Sequence, residues 1–474
     1  MSNTATQNMA AIPLPEGRRK AVQAGCICMM LSVAMSGLAL STLSAPILES
    51  MNALEYVSLF SILGALGVSI MTPIGGKLGD LIGRRNIVVI PGIICALCGI
   101  GIGFIRSLVP FMILRLMLSL AQGAFTAAPY IIVGLINEKK DIPKAMGFLA
   151  AAVAIGSFGG SIIAGILTDM GLMTVAIMIF VIPLILGVVL IGMNMPNQKK
   201  EGKVSIDVWG TVTLVVALCG ILLALNYATA LGWGHPLVIG GFIIGVLALA
   251  LLLWVEQRAK DPLIPMKLFR NTRYTALLLV TFCAYFYIGA MNNYVPIASI
   301  RVLGTSAGVA GSLQMPRTII CMFLPAAAGV WVGKRIENNW KALTFATLLA
   351  AIPMFVLGFT TEYTPILVYY VALAVTGIAE GFRAVSVTPF AQTTLDQADI
   401  GIGTSLINFT NSLSGTIGAA VLGAAYNFYT VGNAAYVEHI RRGCNAVFRL
   451  AAVFCILGVG IVLFVIRPQI IRKK

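Results

Sequence analysis

Long apolar runs separated by short polar loops occupy this chain almost from end to end. A helix rises ~1.5 Å per residue, so about 20 consecutive apolar residues cross the hydrocarbon of a bilayer. Fourteen runs are long enough. In the first part of the chain they lie near Gln23 to Pro46, Tyr56 to Lys77, Ile87 to Ile105, Val109 to Ile136, Ala145 to Thr168 and Met173 to Met195. The remainder lie near Val208 to Leu231, Pro236 to Val255, Tyr274 to Ser299, Ala307 to Val332, Ala342 to Phe359, Pro365 to Phe390, Ile402 to Tyr429 and Val447 to Ile466. The pattern predicts an all-α integral membrane protein with 14 transmembrane helices.

Composition agrees: 59% of the 474 residues are apolar, 10% are charged and 49 are glycine, far from a soluble average. The first apolar run is too long for a signal peptide and no small-residue cleavage site follows it promptly, so the chain is expected to be inserted whole. Orientation follows from the loop bases. With the N-terminus inside, only Arg106, Arg301, Arg441, Arg442 and Arg449 fall outside, whereas the other loop bases are cytosolic and Arg115, Arg317 and Arg383 lie within helices. Both termini are therefore expected in the cytoplasm, in a multi-pass protein of the plasma membrane. This asymmetry accounts for the net charge of +15, so no nucleic acid partner is implied.

Two polar stretches divide the chain. Pro196-Asn197-Gln198-Lys199-Lys200-Glu201-Gly202-Lys203 reads as a linker after six helices, and the charged stretch from Glu256 to Arg270, with apolar residues interleaved, as an interfacial segment after two more. The expected division is an N-terminal six-helix bundle (residues 1–198), a two-helix insert with flanking linkers (199–262) and a C-terminal six-helix bundle (263–474).

Between the second and third runs stands Gly75-Gly76-Lys77-Leu78-Gly79-Asp80-Leu81-Ile82-Gly83-Arg84-Arg85, dense in glycine with one acid and three bases. Glycine permits close helix approach, and Arg84 and Arg85 resist crossing a bilayer. A tight cytosolic loop would satisfy the same observations. A faint echo, Pro325-Ala326-Ala327-Ala328-Gly329-Val330-Trp331-Val332-Gly333-Lys334-Arg335, occupies the matching place in the second half, with Gly333 where Asp80 stands. The first stretch resembles the hinge loop of the major facilitator superfamily. In that family the loop latches one conformation of an alternating-access cycle, which would make Gly76, Asp80, Gly83, Arg84 and Arg85 the latch. Asp207-Val208-Trp209-Gly210, Gly232-Trp233, and Glu256 with Pro262-Leu263-Ile264 and Leu268-Phe269-Arg270 resemble its fourteen-helix drug:proton antiporter group. The resemblance implies two pseudo-symmetric six-helix bundles with two extra central helices and a substrate cavity between the bundles. Three departures stand out. Gly37 occupies the place of the group's first-helix aspartate, Gly156-Ser157-Phe158-Gly159-Gly160 lacks the fifth-helix proline, and Arg115 precedes Gln122-Gly123 at altered spacing.

An ionisable group in hydrocarbon costs several kcal/mol unless paired or hydrated, so the charges within helices are the mechanistic candidates. Glu380 and Arg383, three apart, either pair structurally or form a proton-coupling site. Arg115 resembles the family's fourth-helix arginine, assigned to proton coupling or to holding the bundle. Arg317 follows Pro316 and either caps carbonyls freed by the proline or meets an anionic group of the substrate. Gln314, Asn292, Asn293, Tyr285, Asn408 and Asn411 are candidate substrate-binding residues, their alternative being hydrogen bonds between helices. Three bases against one acid favour an organic acid or a neutral apolar compound over a cation.

No Cys/His cluster has metal-ligand spacing, and Cys95 and Cys98 read as small apolar residues within the third run. No Walker loop is present, so no cofactor, metal or nucleotide hydrolysis is expected and the chain is not an enzyme. The expected function is proton-coupled secondary transport of a small amphipathic organic compound by a monomer, with multidrug-type efflux implied by the family. The alternative is a proton-coupled importer of an organic acid. A sensor built on a transporter fold would usually carry an added soluble domain, and no loop here is long enough for one.

Overall fold

The computed structural model describes residues 12–53, 56–198, 207–258, 262, 264–335, 337–396, 399–430 and 437–471, and their regular structure is helical. The first part runs α1 (Glu16–Glu49), α2 (Val57–Ile82), α3 (Asn86–Phe104), α4 (Leu108–Thr126), α5 (Ala128–Ile136), α6 (Ile142–Asp169), α7 (Met173–Met178) and α8 (Val181–Asn194). Then come α9 (Val208–Leu231), α10 (Pro236–Arg258), the short α11 (Lys267–Arg270), α12 (Thr272–Arg301), α13 (Ala307–Ser312) and α14 (Met315–Lys334). The last are α15 (Glu337–Leu357), α16 (Ile366–Thr394), α17 (Ile400–Thr430), α18 (Val437–Ile461) and, after a π-helical turn at Val462–Ile466, α19 (Arg467–Ile471).

Among the described residues, 11 helical stretches are long and apolar enough to cross a membrane, fewer than the fourteen runs of the sequence. The other three runs form α2, α9 and α17, and the apolar part of α9 is the shorter Trp209–Leu225. Three runs that read as single helices are broken. α4 gives way to α5 at Ala127 and α13 to α14 at Leu313 and Gln314, each time with proline in the first turn that follows, where its missing N–H costs nothing. α7 and α8 part at Ile179 and Phe180.

Packing separates two apolar cores. One joins α1 to α8 around Phe60, Phe111, Phe125 and Phe180; the other joins α12 to α18 around Phe286, Tyr287, Tyr369 and Phe448. In lipid the hydrophobic effect does not drive helices together, so close van der Waals contact must. Glycines supply it. Gly156 and Gly160 of α6 lie on the α1 backbone, where a Cβ would stand 2.5 Å from Leu31 O and 2.8 Å from Met35 Cα. At Gly415 and Gly418 of α17 a Cβ would meet neighbours only at 3.9 and 3.8 Å, an ordinary contact.

The inserted pair has its own glycine seam, since a Cβ on Gly220 of α9 would lie 2.8 Å from Gly241 O of α10. Asp207 starts α9 by accepting the Gly210 N–H at 2.8 Å. Leu214, Leu218 and Leu222 of α9 join Leu66 of α2 and Ile402 and Leu406 of α17 in a third core, so the insert covers the junction of the halves. Buried Glu256 at the end of α10 accepts the Ile264 N–H at 3.1 Å, and Lys77 of α2 donates to Pro262 O at 3.3 Å. The expected boundaries at 198/199 and 262/263 touch residues 199 and 263, which lie outside the described residues.

The two halves meet at the end of the bundle that carries Arg84, Arg85, Lys139, Lys140, Lys334 and Arg335, the basic end. A Cβ at Gly76 of α2 would overlap Ser405 Oγ of α17, and one at Gly329 of α14 would overlap Pro143 O of α6. Gly147 lies in the same way on Pro325 O and Gly333 on Lys140 O. Gly76 and Gly329 are corresponding positions of the two glycine-rich stretches, so the echo in sequence becomes two equivalent crossings. A bulky side chain would have to displace backbone. Gly329→Trp is expected to part the halves at the basic end, read as a longer distance between spin labels on Lys139 and Arg335; an unchanged distance would show that this seam does not set the closure.

Candidate functional site

The hinge stretch ends α2 and turns into α3. Gly83 takes φ 101°, a region that favours glycine, and a Cβ there would overlap the Asn197 amide. Asn197 Nδ2 donates to Ile82 O at 3.0 Å, and the Arg84 N–H donates to Gln198 O at 3.0 Å, so the segment after α8 braces the turn. Asp80 is buried and ion-paired with Arg84, one helical turn on. The Arg84 guanidinium lies against Gly401 at the start of α17, where a Cβ would overlap it. Arg85 Nε donates to the adjacent Asn86 Oδ1 at 3.4 Å. The structure thus brings Gly76 and the Asp80–Arg84 pair to the interface of α2 and α17, and leaves Gly83 against Asn197 and Arg85 beside it.

Behind the seam lies a cavity of about 340 Å³ lined by α5, α6, α12, α14, α16 and α17, within the range of small-molecule sites. Its charged lining residues are Arg317, Glu380 and Arg383. Arg383 grips Glu380 with both nitrogens of its fork, Nη2 to Oε1 at 2.5 Å and Nε to Oε2 at 2.9 Å. Tyr287 OH donates to Glu380 Oε2 at 2.7 Å, and Arg383 also lies over the Tyr285 ring at 5.1 Å. A carboxylate that accepts three hydrogen bonds, two of them from one bidentate arginine, is a strong, directional arrangement.

Arg317 differs. It lies in the first turn of α14, packed on α16 at Gly377, where an added Cβ would stand 2.9 Å from Arg317 Cα. Its Nε is buried with no hydrogen-bond partner, and among the described residues it makes no ion pair. Capping of carbonyls freed by Pro316, one of the two sequence readings, is absent, because the proline falls at the helix start, where no hydrogen bond is interrupted.

Of the other candidates, Tyr285, Asn292, Asn408 and Asn411 line the cavity, whereas Gln314 and Asn293 do not. Asn408 Nδ2 donates to Thr404 O at 3.1 Å and Asn293 Nδ2 to Gly289 O at 3.0 Å, each within its own helix rather than between helices. Asn411 Oδ1 is buried without a partner. Arg115 is away from the cavity, wedged between α4 and α2 with its guanidinium 4.6 Å from the Phe60 ring centre and against Gly64. The structure therefore does not unite Arg115 with Glu380 and Arg383. Gln122, seven residues on, turns to α1 and donates to Ser36 Oγ at 2.7 Å.

Sequence reasoning missed Tyr130, which lines the cavity, and Gln392, whose Nε2 reaches across the halves to Tyr130 O at 2.9 Å. It also missed Tyr287. No spacing marks these residues, since each is one polar group in an apolar run. Among the described residues no group of three or more His, Cys, Asp and Glu side chains could hold a metal.

Two halves closed at one end over a cavity with paired charges form an arrangement suited to holding a small molecule within a bilayer. Residues 25–419 match the family model of the Major Facilitator Superfamily. The chain belongs to that superfamily. This facilitator is similar to the multidrug transporter protein MdtP of Bacillus subtilis, 26% identical over 420 residues that cover 87% of this chain and 76% of that one. It is also similar to the quinolone resistance protein NorB of Staphylococcus aureus, 25% identical over 414 residues covering 84% of each. In fold it matches the crystal structure of the human organic anion transporter MFSD10 (TETRAN), with TM-score 0.66 at 13% identity over 94% of this chain and 100% of that one. The facilitator is thus a multi-pass membrane transporter rather than an enzyme.

The Glu380–Arg383 pair has 19% and 14% of its side-chain surface exposed, all else being covered. Removing one partner strands the other. Glu380→Ala is expected to destabilise the protein by roughly 2 kcal/mol, less than the about 3–5 kcal/mol of a fully sealed pair because the cavity admits water, while Glu380→Leu with Arg383→Met recovers most of the loss. Thermal unfolding in detergent measures both; a single variant as stable as the parent would show that the pair is not holding the bundle.

Proposed function

We propose that this facilitator is a proton-coupled exporter of small amphipathic organic compounds that works as a monomer by alternating access. The observation that carries this reading is the placement of a cavity with a tyrosine-bound Glu380–Arg383 pair directly behind a glycine seam that closes one end of two separately cored halves. Fourteen spans, with 1–198 and 263–474 as the two bundles and 199–262 as the insert, belong to this reading. The loop bases favour a cytosolic placement of both termini and of the basic end in the plasma membrane, so the closed seam faces the cytosol.

In this reading Gly76, Asp80, Gly83, Arg84 and Arg85 form the latch, with Arg84 holding the start of α17. Glu380 is the proton carrier. Protonation would release Arg383 from its fork and shift the hydrogen bond of Tyr287, loosening α16 against α12. Arg115, remote from the cavity, holds α2 to α4. Arg317, Tyr285, Asn292, Asn408 and Asn411 contact the compound. The relatives' names, multidrug transporter and quinolone resistance protein, support efflux over uptake of an organic acid.

Proteoliposomes loaded with a pH-sensitive dye test the coupling. An amphipathic substrate gradient is expected to drive a pH change in the parent protein, and Glu380→Gln is expected to abolish it while exchange of labelled for unlabelled substrate persists. Undiminished proton movement in Glu380→Gln would return the residue to a purely structural role.

A further inference from the structure

The charge balance of the cavity leaves one cation over. Arg383 holds Glu380 through two hydrogen bonds, whereas Arg317 reaches the same carboxylate only through space and makes no ion-pair contact with it, so two guanidiniums among the lining residues share one carboxylate. A guanidinium next to hydrocarbon without a counter-charge is costly, and its five donors in a fixed fork match the oxygens of an oxyanion. The Arg317 Nε is buried and unpartnered, as is the Oδ1 acceptor of Asn411 on the facing α17. The rest of the wall around these two polar points includes Met146, Val153, Ile288, Val387 and Ile407, a surface that takes apolar bodies.

We propose that Arg317 is the anion-recognising residue of the cavity and that the compound moved is an amphipathic organic anion, its acid group on Arg317 and its apolar body against the α6, α12 and α16 walls. This rests on the transport reading of the cavity and narrows it. A cationic drug would meet a lining with one guanidinium in excess and a Glu380 carboxylate already held by Arg383 and Tyr287. An anion restores neutrality. Asn411 Oδ1 adds a preference for compounds that also carry a hydrogen-bond donor.

Three naphthyl probes of similar size, each fixed in charge, test the assignment: naphthalenesulfonate, neutral naphthalenesulfonamide and naphthyltrimethylammonium. Binding and flux are measured on the full-length protein in nanodiscs and proteoliposomes. The parent is expected to bind the sulfonate at least tenfold more tightly than the ammonium ion. Arg317→Gln is expected to weaken sulfonate binding by roughly tenfold to a hundredfold, the range for a hydrogen bond to a charged group, with little effect on the neutral probe, while Arg317→Lys retains part of the preference. Equal or tighter binding of the ammonium ion to the parent overturns the proposal, and so does full sulfonate affinity in a folded Arg317→Gln. The parent ranking alone decides the matter where that variant does not fold. Sulfonate binding without flux keeps the anion site and removes the transport reading; flux of the ammonium ion with exclusion of the sulfonate does the reverse. Binding of none of the three overturns both.

Discussion

The cost of an unpaired polar group in hydrocarbon governs this molecule. It makes every spanning segment helical, because only a helix satisfies its own backbone away from water. It also sorts the charges inside the bundle into those with a partner and those without. Glu380 has Arg383 and Tyr287, Asp80 has Arg84, and Arg115 has an aromatic face. Arg317 makes none of these contacts, and it lines a cavity where a ligand could serve instead.

Where polar groups are scarce, glycine does the joining. Gly76 on Ser405 and Gly329 on Pro143 are the same contact made twice, once by each half against the other. Contacts of this kind have little tolerance, since an added Cβ meets the Ser405 side chain at Gly76 and the Pro143 backbone at Gly329. They are also free of interlocking side chains, so the halves can separate along them without unthreading a core.

The inserted pair α9 and α10 is more than a spacer. Its leucines share a core with α2 and α17, which meet across the two halves, and the segment after it receives Lys77 and is held by Glu256. The insert therefore touches both sides of the junction at the point where Arg84 meets Gly401. Packing across both sides makes it a brace on the closed arrangement.

The amino-acid sequence by itself determined the class of the molecule. Apolar run length, the asymmetry of lysine and arginine, and the glycine-rich stretch from Gly75 to Arg85 are properties of consecutive residues, so membrane spanning and the superfamily could be read directly. The Glu380–Arg383 pair was legible for the same reason, being three residues apart on one helix. Tertiary structure decided the rest. Arg115 and Arg317 look alike in sequence, each a lone base in an apolar run, yet one is pinned under Phe60 and the other faces the cavity. Asn411 and Asn293 likewise part company, as do Gln122 and Gln392. A helix 3.6 residues per turn fixes which residues share a face, but which face meets the cavity depends on the proline breaks and glycine crossings of neighbouring helices, and those partners are remote along the chain.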